Sequence, residues 1–164
     1  MKIIFLDIDG VLNNRDTWGN RPLDKAFDKD CITAFNKIID ATGARIVISS
    51  SWRNLFAYEQ ICALLRDVGV RGAILDQTPT VSLSRRRGAE IKAWLDNGLW
   101  PEIDGFIILD DENDMGELLD HLIQTDYNVG LTDDMADIAI ERLRENGSSK
   151  SNDQCSSTTR GSNM

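Results

Sequence analysis

Residues 1–14 read MKIIFLDIDGVLNN, a short apolar run that stops at two acids. Lys2 to Leu6 is dense in Ile and Phe with no polar alternation, the pattern of a central strand covered on both faces. Asp7 and Asp9 follow at i, i+2 spacing, so in an extended chain their side chains leave on the same side. They stand at the carboxyl end of the strand, where open α/β sheets bind their ligands. Adjacent negative charges are unfavourable there unless a cation joins them. The usual partner of closely spaced carboxylates is Mg2+, which takes oxygen ligands in an octahedral shell and leaves room for water and phosphate.

The length, 164 residues, suits about one domain. Hydrophobic residues make up 41% of the chain, enough for a core, and no apolar run approaches the ~20 residues of a membrane span. The N-terminus has no basic region followed by a long apolar one, so no signal peptide is expected. Cys31, Cys62 and Cys155 are odd in number and form no CxxC pair, which fits a reducing cytosol better than a disulfide framework. The first two are expected to act as small buried hydrophobes. His121 is the only histidine. A Ser-His-Asp triad would have to use it, and a multi-histidine zinc site cannot be built. It follows Leu118, Leu119 and Asp120 at what reads as a helix end leading into a strand, so a structural role is expected. Formal net charge is −9, and the segment from Ser148 to Met164 carries Lys150 and Arg160 against Asp153, leaving −10 on the rest. That balance opposes nonspecific binding to long nucleic acid while leaving room for a local basic patch.

Further along, Asn13 to Pro22 is a polar loop holding Asn14, Arg15, Trp18 and Arg21. Leu23 to Ala41 reads as an amphipathic helix with Phe27, Cys31, Ala34, Phe35, Ile38 and Ile39 on one stripe, closed by Gly43. Ala44 to Ile48 is a second buried strand, ending in Ser49-Ser50-Ser51-Trp52-Arg53. A hydroxyl at that strand end, close to Asp7, can bond a phosphate oxygen. Leu55 to Val68 is helical, and Gly69 closes it. Ala73 to Leu75 is a third, short strand, and Asp76 to Leu83 is loop. Ser84 caps a helix entered by Arg85-Arg86-Arg87-Gly88 and continued to Leu95, which Asn97-Gly98 ends. Phe106 to Leu109 is a fourth strand, terminating in Asp110-Asp111-Glu112-Asn113-Asp114. A short helix over Glu117 to Asp120, an edge strand over Leu122 to Gln124 and a loop over Asp126 to Leu131 follow. Thr132 then caps a last helix carrying Met135, Ile138, Ala139 and Leu143. From Asn146 onward Ser, Thr and Asn dominate, the composition of a disordered tail. The division expected is one domain over residues 1–145 and a tail over 146–164. Alternating strands and helices predict an α/β, doubly wound, Rossmann-like parallel sheet.

The string Asp7-Ile8-Asp9-Gly10-Val11-Leu12 resembles the first motif of the haloacid dehalogenase (HAD) superfamily of phosphotransferases. The resemblance implies that Asp7 attacks phosphorus to form an aspartyl-phosphate and that Asp9 is the general acid and base. The second strand resembles the second motif, which ends in Ser or Thr. Ser50 is the better match, through its likeness to a Thr-Ser-Trp-Arg ending, with Ser49 the alternative. Arg53 then faces either substrate phosphate or a surface carboxylate. Arg-Gly, Glu-Ile and Trp-Leu along the helix from Arg87 to Leu95 are similar to the third motif of a compact HAD subgroup that includes phosphatase domains of RNA-repair proteins. That motif supplies a cation, here Arg87, with Arg86 and Lys92 as alternatives. The physical need is a fixed positive charge for clustered carboxylates and an incoming dianion. Asp110-Asp111 looks like the fourth motif, so the Mg2+ ligands implied are Asp7, Asp9, Asp110 and Asp111. Asp114 is an outer ligand or a helix cap. Four carboxylates against Mg2+ and one arginine leave residual negative charge, which favours a protonated Asp9, the state a general acid requires.

The same resemblance implies the strand order 3-2-1-4-5. The gap after the first strand is filled by one loop and one helix, so a capless domain with an open site is expected. An open site suits a large substrate, such as a nucleic-acid end, or a nucleotide held by loops. Trp18 in the polar loop is a stacking surface for a base or a packing anchor. The activity implied is Mg2+-dependent phosphomonoester hydrolysis on nucleotide or polynucleotide-end phosphates, with a small-metabolite phosphatase of the same fold as the alternative. No membrane and no obligate protein partner is indicated. Two readings of another class are a receiver-type phosphoacceptor and a non-catalytic HAD-like binding module. A receiver would carry its phosphorylated Asp after the third strand, which here ends in Asp76-Gln77. Every motif position keeps a competent type, so a silent module would need a reason the sequence does not show.

Overall fold

Lys2–Leu6 forms strand β1, buried from Ile3 to Leu6 because both of its faces are covered. The computed structural model describes residues 1–81, 86–100 and 102–148. In it, β1 is the middle of a five-stranded sheet with β2 (Arg45–Ile48), β3 (Ile74–Gln77), β4 (Gly105–Asp110) and β5 (Leu122–Gln124), in the order β3-β2-β1-β4-β5. Every pairing is parallel. This is the doubly wound, Rossmann-like order expected from the motifs. A receiver domain has the order 2-1-3-4-5, so that reading does not fit.

Alternation along the strands divides the core in two. Ile4, Leu6, Ile46, Ile48, Ile107 and Leu109 face one side, where α1 (Lys29–Thr42), α2 (Tyr58–Asp67) and α4 (Asp133–Ser148) supply Phe35, Ile38, Leu65 and Leu143. Ile3, Phe5, Val47 and Ile108 face the other, where Ile91 and Trp94 of α3 (Arg87–Asp96) pack with Met115. Leu6 pairs with Ile48 on one side and Leu109 on the other, so the ends of β2, β1 and β4 lie level. Residues 7, 49 and 110 therefore share one edge of the sheet.

Several boundaries differ from the sequence reading, each for a local reason. The helix expected over Leu23 to Ala41 is broken. Leu23–Ala26 is a 3-10 turn, Phe27 turns inward, and the Asp28 side chain accepts the N–H groups of Asp30 and Cys31 at 2.9 and 3.0 Å to start α1. Gly43, at φ 62°, closes it as expected. After Ser50 the chain makes a 3-10 turn, Ser51–Asn54, so α2 begins at Tyr58 rather than Leu55. Asp76 and Gln77, expected in a loop, extend β3. Asn146 to Ser148, expected in the tail, continue α4. Ser84 and Arg85 lie outside the described residues, as does the rest of the tail.

Among the described residues no separate module covers the carboxyl edge. The chain between β1 and α1 is loop and a single 3-10 turn. The His121 ring stacks on Phe106 with centroids 4.0 Å apart. No helix of the described residues is long and apolar enough to cross a membrane.

Candidate active site

The alternation that sends Ile3 and Phe5 toward α3 sends Asp7 the same way, and Ile108 does likewise for Asp110. Gly88 lets α3 come down onto this edge. A Cβ there would stand 2.1 Å from the Met115 carbonyl oxygen, so only glycine allows the approach. The start of α3 is held by the loop after β4, whose Asp114 carboxylate accepts the Arg87 N–H at 3.0 Å. Arg87 thereby reaches both acids, with Nη2 3.4 Å from Asp7 Oδ2 and Nε 3.1 Å from Asp110 Oδ2. Asp111 completes a group in which one carboxylate oxygen from each of Asp7, Asp110 and Asp111 lies within 4.8 Å of the others.

Packing these acids with one guanidinium leaves them short of positive charge. Burial pushes Asp7 up to about 6, against the pull of the Arg87 charge, the Ser50 hydroxyl and the Ile8 N–H. Burial and then the Asp7 charge push Asp110 up to about 8, opposed by Arg87. Asp111 is raised by burial and by Asp9. Burial works against the Arg87 charge, but the fields of Asp7, Asp110, Glu90 and Asp114 outweigh it and keep the guanidinium protonated. Asp110 Oδ2 accepts no hydrogen bond, and the Arg87 ion pair is its charged contact. An all-oxygen group with a deficit of positive charge is a donor set that fits Mg2+.

Asp9 is placed differently. Its carboxylate belongs to neither the Arg87 pairing nor the three-acid group. Oδ1 accepts from Asn13 Nδ2 at 2.8 Å and Oδ2 from the Trp52 indole N–H at 2.9 Å. The two serines also separate. Ser50 is fully buried with its hydroxyl beside Asp7, whereas the Ser49 hydroxyl is buried without a hydrogen-bond partner. Among the third-motif cations, Arg87 faces the acids and Arg86 is exposed at the N-cap of α3. Lys92 points outward to Glu117 and Asp96. Arg53 turns from the acids to Glu90 of α3 in an ion pair whose side chains are 5% and 9% exposed, and its Nη1 donates to the Ser50 carbonyl. The carboxylate Arg53 meets is a buried one, not the surface carboxylate expected. Trp18 is 54% exposed, so it is not a packing anchor.

Asn13, Trp52 and Glu90 were not singled out in the sequence for these contacts. Asn13 sits four residues after Asp9 inside a polar loop, where only its complete burial distinguishes it.

A family model described as the HAD domain in Swiss Army Knife RNA repair proteins matches residues 3–136. The chain belongs to this HAD family. The match runs from β1 into α4 and so takes in all five strands, both acidic strand ends and the arginine of α3 in one HAD domain. Searches of curated proteins and of solved structures gave no match.

Proposed function

We propose that this HAD domain hydrolyses phosphomonoesters through an aspartyl-phosphate on Asp7. The observation that carries the reading is the setting of Asp7. It is a buried carboxylate at the end of the central strand, with Arg87 on one side, the Ser50 hydroxyl beside it and Asp9 two residues on, held apart by its own donors. Asp7 attacks phosphorus in line, and the bond to the leaving oxygen breaks as Asp9 protonates it. Asp9 then takes a proton from water, which attacks the aspartyl-phosphate and releases inorganic phosphate and free Asp7. Arg87 and the Ser50 hydroxyl hold the equatorial oxygens, where positioning and charge stabilisation supply most of the acceleration. Mg2+, when held by Asp7, Asp110 and Asp111, would neutralise phosphoryl charge and favour the ionised form of Asp7.

Nucleotide or polynucleotide-end phosphates are the substrates proposed. The family's place in RNA repair proteins supports this, as does a carboxyl edge with no module over it among the described residues. Trp18, exposed on the loop that leaves the first motif, is a surface on which a base can stack. A net charge of −9 favours recognition of an end over a long duplex. A single domain over residues 1–145 and a cytoplasmic setting, the latter from cysteine usage, belong to the same proposal.

The test is phosphate release, with and without Mg2+, from nucleoside monophosphates, 3′- and 5′-phosphorylated oligonucleotides, sugar phosphates and an aryl phosphate. Wild type is compared with Asp7→Asn. Metal-dependent release that disappears in Asp7→Asn is the expected result, with the best substrate on the nucleotide or oligonucleotide side. Equal inertness of both proteins across the panel would overturn the reading.

A further inference from the structure

We propose that Trp52 is a positioning residue for Asp9: its indole N–H, with the Asn13 amide, fixes the direction of the acid that serves the leaving oxygen. This role rests on the phosphatase reading above and adds to it the means by which Asp9 is kept out of the neighbouring acidic group. A short aspartate side chain next to three clustered carboxylates, two of them buried and Asp111 half-buried, has an obvious competing conformation, turned into that group. Two donors oppose it. The Trp52 indole N–H meets Oδ2 at 2.9 Å and Asn13 Nδ2 meets Oδ1 at 2.8 Å. An indole nitrogen only donates, so the contact works in one sense, with the carboxylate oxygen as acceptor.

Both donors are themselves immobilised. Asn13 is completely buried, and its Oδ1 accepts the Gly10 N–H at 2.8 Å, which orients the amide so that its nitrogen faces Asp9. Trp52 is 7% exposed and lies between Phe27, edge-on at 5.6 Å between centroids, and Phe56, tilted at 5.5 Å. Its carbonyl accepts the N–H groups of Leu55 and Phe56, both at 2.9 Å. Its own N–H points to the Ser50 Oγ at 3.4 Å. The ring that holds Asp9 therefore belongs to the same turn as the hydroxyl beside Asp7. One rigid 3-10 turn sets both the phosphate side and the leaving-group side of the reaction.

A residue that only fills the core would, when altered, lower activity on every substrate alike. A residue that aims a general acid has a selective effect, because an activated aryl phosphate leaves without a proton and an alkyl phosphate does not. The experiment compares wild type, Trp52→Phe, Asp9→Asn and the double variant on an alkyl and an activated aryl phosphate with Mg2+ present, with melting temperatures taken alongside. We expect Trp52→Phe to lose about 10²-fold in kcat/KM on the alkyl ester, the scale of a misplaced reacting group. That quantity ends at release of the leaving group and so leaves out the later water step. On the aryl ester kcat/KM stays close to wild type, and the variant adds no further loss in the Asp9→Asn background. Equal losses in kcat/KM on both esters, or full additivity with Asp9→Asn, would make Trp52 a packing residue and overturn the proposal. A wild type inert on both esters would overturn the phosphatase reading, and this role with it.

Asp9→Ala reads the same contact without turnover and leaves the aromatic packing in place. One of the four indole N–H signals should shift in a nitrogen–proton correlation spectrum. An unchanged set of four would also count against the proposal.

Discussion

Gly88 is the residue on which the approach of α3 depends. The Met115 carbonyl occupies the space a side chain would need, 2.1 Å from an ideal Cβ, and it is backbone that cannot swing aside. Gly10 is constrained in a similar way, with φ at 71° and Asp111 Cγ 2.6 Å from an added Cβ. Gly88→Ala is expected to lower stability by about 1–3 kcal/mol, the usual cost of forcing atoms into a packed contact. It should also reduce phosphatase activity through displacement of Arg87, its neighbour. Chemical denaturation together with phosphate release checks both. A variant with wild-type stability and activity would mean that α3 docks by some other contact. The Arg53–Glu90 pair acts at the same place. It is a buried ion pair tying the turn after β2 to α3, and burial makes each partner dependent on the other.

At the scale of elements, α1 shows why an amphipathic stripe does not locate a helix start. Phe27 sits in register with Cys31, Ala34 and Ile38, so periodicity alone carries the helix back through it. The competing signal is Asp28, whose carboxylate takes the first free N–H groups while Phe27 packs against Trp52. Burial pushes Asp28 up, but the Cys31 N–H, the Asn14 amide and the Asp30 N–H outweigh it and hold the carboxyl below its ordinary value. A depressed value means stabilisation that is complete above the unfolded value, near 3.8, and lost as pH falls through the folded one. Asp28→Ala is expected to cost about 1 kcal/mol at neutral pH. The difference from wild type should shrink under acid conditions, as measured by urea denaturation at both pH values. A gap that stays constant with pH would show that the loss is not the cap.

For the whole molecule, the balance of charge at the carboxyl edge ties folding to the proton. Asp7, at about 6, and Asp110, at about 8, both stand above the ordinary value of 3.8. Raised carboxyls bind protons more tightly in the folded chain than in the unfolded one. Their contribution is therefore complete below about pH 4 and is lost as pH rises through the folded values. Chelator-treated protein is expected to melt at a lower temperature near pH 8 than near pH 5, and Asp110→Asn to weaken that dependence. Mg2+ should raise the melting temperature more at the higher pH, where its ligands are ionised. A melting temperature indifferent to Mg2+ near pH 8 would sink the assignment of the acidic group to a cation.

How far each feature could be read from the chain follows from the distance over which it is determined. A buried central strand, acids at two strand ends, a hydroxyl at a third and a helix with arginine at its start are local patterns. Period and end-of-strand chemistry lie within a few neighbouring residues, so the sequence alone determined the α/β class, and through the motifs the strand order 3-2-1-4-5. Which of two serines stands beside Asp7, which of the arginines faces the acids, that Arg53 answers Glu90 and that Trp52 reaches Asp9 were decided only by tertiary structure. Each depends on how segments separated by tens of residues approach one another. That approach is set by strand register and by a glycine pressed against a backbone carbonyl, and neither leaves a periodic trace in the chain.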